Sequence, residues 1–217
     1  MLQPGDDNVF AFEYLTDGPN TQNPGVVCGT LPGSTHCWTS VEDEAIVLDT
    51  GLGSIDSNSV AMDHGGHLWL ASGDGRVLRS SKALRDYAAD EKFSGPQFTD
   101  VPRATPEQQT GNIWYITRVK SQMWVGAEAG VFIYDSESQK QIARLGAKDG
   151  LASDTVVSVM ATRDEKTVWV GTMGGVTEVD VATRKAVKTL NRSDGFLDDE
   201  IWYHQSVFVD SEGTVYL

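Results

Sequence analysis

Two short segments of this chain share the order Ile-Trp-Tyr: Ile113-Trp114-Tyr115 and Ile201-Trp202-Tyr203. Indole and phenol rings offer flat apolar faces with a polar N–H or O–H at the edge, a combination suited to stacking on a sugar ring. Groups able to bond sugar hydroxyls lie close in sequence: Asn112 beside the first segment, and Asp199, Glu200, His204 and Gln205 around the second. Asp154 occupies the matching place in another copy of the pattern described below. The candidate ligand-binding residues are therefore Trp114, Tyr115, Asp154, Asp199, Glu200, Trp202, Tyr203 and His204. The competing reading is that these aromatics are core residues packed between sheets.

Catalytic chemistry is harder to find. His36, His64, His67 and His204 are scattered, and the chain has no Gly-x-Ser-x-Gly, no His-Glu-x-x-His and no phosphate-binding glycine loop. No catalytic set, no metal set and no cofactor is assigned. His64 and His67 flank Gly65-Gly66 in a tight turn, where exposed polar residues are the simpler reading than a metal site. If the chain were a lyase or glycosidase, Asp154, Asp199, Glu200 and His204 would be the set able to converge at one mouth.

The elements that would position these residues follow from a repeat. Trp169 is followed by Gly175 and Asp180, Trp124 by Gly130 and Asp135, and Trp69 by Gly75 and Ser80, at the same two offsets. Trp38 keeps only the second, with Asp49. The spacings from Trp38 through Trp69, Trp124 and Trp169 to Tyr216 are 31, 55, 45 and 47 residues. Around Trp169 the segments Val156–Met160, Thr167–Gly171 and Val176–Val179 are short, β-branched or aromatic, and bounded by Gly and Asp. A period in the forties with three or four strands per copy predicts an all-β fold, a β-propeller of about four to five recognisable blades. The ring either closes with the N-terminal strand at Val9–Tyr14 or forms part of a larger propeller.

In such a blade the tryptophan fills the space between neighbouring sheets, and the glycine six residues on follows a tight turn. Small residues after each tryptophan (Ala71-Ser72, Gly126-Ala127, Gly171-Thr172) leave room for the next sheet. The turn between second and third strands and the link between blades share one face. That face gathers Asp56, Asp74, Glu128, Asp154, Asp198, Asp199 and Glu200, an acidic rim that either holds Ca²⁺ or simply forms turns.

Three segments carry a family resemblance: Gly150-Leu151-x-Ser153-Asp154-x-Val156, Val168-Trp169-Val170-Gly171-Thr172-x-x-Gly175 and Asp63-x-x-Gly66-x-Leu68-Trp69. They resemble the two-component-regulator propeller repeats that build the extracytoplasmic sensor regions of bacterial hybrid histidine kinases. The resemblance covers residues 51–217 and fades over 37–50. It implies a non-catalytic sensing or binding module, periplasmic or extracellular, with a small-molecule or oligosaccharide ligand or a protein partner. The copy holding Trp124 departs from the pattern at Lys120-Ser121-Gln122-Met123, and the copy holding Trp169 has Thr167 where glycine is usual.

Residues 1–54 are expected to hold irregular strands and the degraded copy. Blades follow at 55–110, 111–150 and 151–195, with a partial one at 196–217. Ser80–Glu91 could be helical, and 92–110 reads as a long polar connection or lid. Cys28 and Cys37, the only cysteines, flank a hairpin and are either bonded or two buried thiols. The net charge of −14 argues against nucleic acid and anionic membranes, which attract Lys and Arg clusters. Equally, it serves solubility. No apolar run is long enough to span a bilayer, and the opening residues carry no signal-peptide pattern.

Overall fold

The computed structural model describes residues 26–31, 34–41, 44–49, 60–71, 75–83, 86, 97–104, 110–195, 208–209 and 214–216; for the three N-terminal segments, 208–209 and 215 it describes the backbone alone. The described residues form antiparallel sheets whose strands follow one another in chain order. An N-terminal sheet pairs β1 (Val26–Leu31), β2 (Ser34–Val41) and β3 (Glu44–Asp49). The first four-stranded blade holds β4 (Val60–Met62), β5 (Leu68–Ala71), β6 (Val77–Ser80) and β7 (Phe98–Asp100). The second holds β8 (Ile113–Val119), β9 (Gln122–Ala127), β10 (Gly130–Asp135) and β11 (Gln141–Leu145). The third holds β12 (Val156–Ala161), β13 (Thr167–Thr172), β14 (Gly175–Asp180) and β15 (Lys185–Leu190). A short pair, β16 (Phe208–Val209) and β17 (Val215–Tyr216), completes the described strands.

The fold is a β-propeller, and burial across a blade shows why. The first strands β4, β8, β12 and β16 lie side by side. The middle strands β9 and β10 are buried on both faces, because each blade is sandwiched by its neighbours. Outer strands are wetter: β15 exposes Lys185, Val187 and Lys188, and such lysines discourage pairing at a free edge.

Trp38, Trp69, Trp124, Trp169 and Tyr216 all fall on the second strand of their sheets. Trp69 is fully buried among Ile113, Ile116, Met123 and Phe132 of the following blade. Its ring centroid lies 6.2 Å from that of Tyr134. Trp124 is fully buried in the same way against Val156, Val159, Val168 and Val170 of the third blade. Trp69 and Trp124 therefore each lock their blade onto the next. Gly75, Gly130 and Gly175, which follow the tight turns, all have positive φ, at 80°, 115° and 128°.

Two expectations needed correction. The connection at 92–110 contains β7, whose Phe98, Thr99 and Asp100 pair with Ser80, Arg79 and Leu78. A strand this short, two of its three residues polar, carries no alternating pattern. In the third blade the glycine-equivalent of the first turn is Glu165, not Thr167. Gly66 N–H donates to the Asp63 carbonyl and Glu165 N–H to the Thr162 carbonyl, at 3.0 and 2.8 Å. Both residues sit in the left-handed region, Gly66 at φ 83° and Glu165 at φ 52°. Glu165→Gly is therefore expected to stabilise the protein by about 0.5–1 kcal/mol, the left-handed penalty less the added chain entropy. The check is a urea unfolding midpoint that rises with an unchanged slope. A lowered midpoint would contradict this account of the turn.

The helical expectation at Ser80–Glu91 meets Ser80 at the end of β6; of the remainder only 81–83 and 86 are described. The expected strand at Val9–Tyr14 lies outside the described residues.

Candidate functional site

The Ile-Trp-Tyr segment of β8 is split by a change of register. Ile113 pairs with Ala127 and Tyr115 with Gly126, which leaves Trp114 as the extra residue of a β-bulge. β12 carries the same irregularity, with Val156 opposite Thr172, Ser158 opposite Gly171, and Val157 in between. A bulge re-aims one side chain while the ladder continues on either side. Three consecutive residues thus reach three surroundings. Ile113 is buried between the first and second blades. Tyr115 packs against the cluster between the second and third blades, and Trp114 against a separate one with Val157, Val176, Trp169 and Met173. Trp114 and Tyr115 are both half-buried.

The tight turns and the links between blades share one face. Glu128 N–H donates to the Asn112 carbonyl and Ala129 N–H to the Thr110 carbonyl, each at 3.0 Å. One blade on, Met173 N–H donates to the Thr155 carbonyl at 3.0 Å. Glu128 is exposed there and accepts from Asn112 Nδ2 at 3.2 Å. Asp154 is exposed too, and its Oδ1 accepts from Ala147 N–H at 2.9 Å, across the short 3-10 turn at Ala147–Asp149. Asp149 Oδ2 in turn accepts from Gly146 N–H, and Asp194 Oδ2 from Asn191 N–H in the following link, both at 3.0 Å. Asp149, Asp154 and Asp194 thus hold the turns of the described links. Among the described residues no three His, Cys, Asp or Glu side chains converge as a metal set.

Of the candidate residues, the structure describes Trp114, Tyr115 and Asp154; Asp199, Glu200, Trp202, Tyr203 and His204 lie outside the described residues. It also brings two cations to this face that the sequence did not single out. Arg103 and Thr110 Oγ1 each donate to the Gly75 carbonyl at 2.9 Å, fastening the connection after β7 onto the turn of the first blade. Arg144 Nε donates to the Ala129 carbonyl at 2.8 Å, its guanidinium 5.5 Å from the Phe132 ring centroid. Neither contact is local in sequence, so only a known register could have placed them.

The opposite end of the first blade holds a buried polar network. Asp63 Oδ2 accepts from Trp69 Nε1 and from Arg79 Nε at 2.9 Å each, and Oδ1 from His67 N–H at 3.0 Å. Burial pushes the Asp63 carboxyl up, but these bonds and the Arg79 charge outweigh it and hold the group below the ordinary carboxylate range. Arg79 also donates to His67 Nδ1 at 2.7 Å; an arginine has no acceptor, so Nδ1 presents its lone pair to that bond. The histidine turn is thus built into a structural network.

With this geometry in hand, likeness to solved structures is informative about the fold. The extracellular domain of a protein assigned to the hybrid two-component systems of B. thetaiotaomicron superposes with a TM-score of 0.63 at 20% identity. That match covers 95% of this chain and 25% of that one. The extracellular domain of a one-component system from the same organism gives a TM-score of 0.63 at 19% identity, over 97% of this chain and 29% of that one. The WD40 β-propeller domain of Doa1 gives 0.54 at 11% identity, over 89% and 60%. This chain therefore spans about a quarter of the length of the two bacterial domains. No protein-family model and no curated protein matches the sequence. The fold is that of a β-propeller, shared with these extracellular bacterial domains, in keeping with the repeat type that the sequence resembles.

Proposed function

We propose that this chain is a non-catalytic ligand-sensing module of a propeller on the extracytoplasmic side of the membrane, resembling the sensor part of a two-component regulator. Its proposed ligand is a glycan fragment, bound on the face where blade links meet the tight turns. The β-bulge at Trp114 carries the reading. It parts the indole from the cluster that Tyr115 joins and sets it, half-buried, against Val157, Val176, Trp169 and Met173 of the third blade. Ile201-Trp202-Tyr203 repeats the order of Ile113-Trp114-Tyr115, with Asp199, Glu200 and His204 beside it in sequence, and the proposed site includes these residues. A half-buried indole keeps part of its face for stacking, and neighbouring polar groups suit hydroxyls. The extracytoplasmic placement rests on the two bacterial domains. Among the described residues no helix is long and apolar enough to cross a membrane.

Trp114→Ala and Trp202→Ala test the site by calorimetric titration with oligosaccharides. Each replacement is expected to weaken binding about tenfold or more, equivalent to about 1.4 kcal/mol, while the melting temperature stays close to that of the parent. Loss of several kcal/mol of stability with unaltered affinity would assign both residues to the core and remove the site. The lyase or glycosidase reading has no specific observation in its favour, since Asp154 already uses a carboxyl oxygen on the Ala147 N–H.

A further inference from the structure

The N-terminal hairpin carries the only two cysteines of the chain, Cys28 on β1 and Cys37 on β2. The two strands pair without a slip from Val26↔Thr39 to Leu31↔Ser34, which makes Cys28 and Cys37 direct cross-strand partners. Direct partners in an antiparallel ladder occupy one face of the sheet. They alternate between hydrogen-bonded pairs, with Cα atoms about 5.5 Å apart, and non-hydrogen-bonded pairs at about 4.5 Å. The pair flanking a two-residue connection is hydrogen-bonded, and here that pair is Leu31↔Ser34. Counting back, Thr30↔Thr35 is non-hydrogen-bonded, Gly29↔His36 hydrogen-bonded, and Cys28↔Cys37 non-hydrogen-bonded. A separation of about 4.5 Å falls inside the Cα span of roughly 4.4–6.8 Å that a disulfide bridges.

We propose that Cys28 and Cys37 form an intrachain disulfide that staples the N-terminal hairpin. A register shifted by one residue on either strand would set the two cysteines off as partners, so the pairing is a property of this ladder. With no third cysteine in the chain, the intrachain connectivity is unique. Formation needs a disulfide oxidant, such as oxidised glutathione. One cysteine thiolate attacks it, forming a mixed disulfide and releasing one thiolate. The second thiolate then attacks the mixed disulfide, releasing the other. The two cysteines lose two protons and two electrons, and the oxidant becomes two thiols. The bond requires an oxidising compartment but no ligand, and it would stand if no glycan were found to bind.

The purified chain, equilibrated in glutathione buffers poised as in an oxidising compartment and quenched with an alkylating agent, tests the proposal by intact mass and peptide mapping. The expected species is two hydrogens lighter than the dithiol, takes up no alkyl group, and yields one peptide pair joining Cys28 to Cys37. Reduction with dithiothreitol is expected to lower the melting temperature by about 4–12 °C, whereas the double variant Cys28→Ser, Cys37→Ser does not respond to it. Two alkylated thiols at that poise, or linkage only between separate chains, would overturn the bond. A bond whose reduction leaves the melt unmoved would overturn its role as a staple.

Discussion

Trp124→Ala is expected to destabilise the protein by about 3–5 kcal/mol, the range for deleting a large buried aromatic when its surroundings relax only in part. Trp124 is fully buried, and its ring touches the second and third blades at once. Its strand offers little room for relaxation, because the site of Gly126 is already tight: a Cβ there would come within 2.8 Å of Val156. Its Nε1–H donates to Gln122 Oε1 at 3.1 Å, a bond the variant also loses. Urea unfolding of parent and variant measures the difference. A loss under about 1 kcal/mol would mean that the blades are held by something other than the inter-blade tryptophans.

Asp63→Ala is expected to cost a similar amount, about 3–5 kcal/mol, for an electrostatic reason. The carboxylate is almost wholly buried and is the shared acceptor for Trp69 Nε1–H, Arg79 Nε–H and the His67 N–H. Removing it leaves the Arg79 guanidinium, itself 12% exposed, beside unmatched donors. The loss also has a pH signature. The native Asp63 carboxyl is held below its ordinary value, so its contribution is complete above the unfolded pKa of about 4 and disappears as pH falls through the native one. Parent and variant should therefore differ most near neutrality and converge in acid. A constant difference from pH 7 down to pH 2 would show that Asp63 contributes packing and no charge.

What the sequence made legible was whatever the repeat writes at a fixed offset in large or unusual residues. Trp69 and Trp124 stand out because few other residues fill the gap between blades, and Gly130 and Gly175 because their turns require positive φ. The strands of the third blade were readable nearly to their ends, since Val156–Met160 is extended only by Ala161. Features that depend on register were hidden. The Asp63–Arg79 pair joins residues from a turn and a strand, and nothing local links them. Glu165 was not read as the partner of Gly66, because a left-handed backbone leaves no mark on a glutamate. The bulge at Trp114 was invisible as well: Ile-Trp-Tyr suggested which side chains matter, and only pairing shows that Tyr115 and Trp114 join different clusters. Asp154, singled out as a ligand group, is engaged with a link turn, a use that the serine and aspartate turn chemistry of 153–154 already allowed.

The most direct test of the sensing account is a thermal-shift screen of the intact chain against oligosaccharides, Ca²⁺ and small organic acids. Ligand that binds the folded state raises the melting temperature in step with its free concentration. The account predicts such a rise with oligosaccharides and not with the cation or the acids. A cooperative melt that no sugar moves at any concentration would contradict it, and would shift the acidic face toward docking a protein partner.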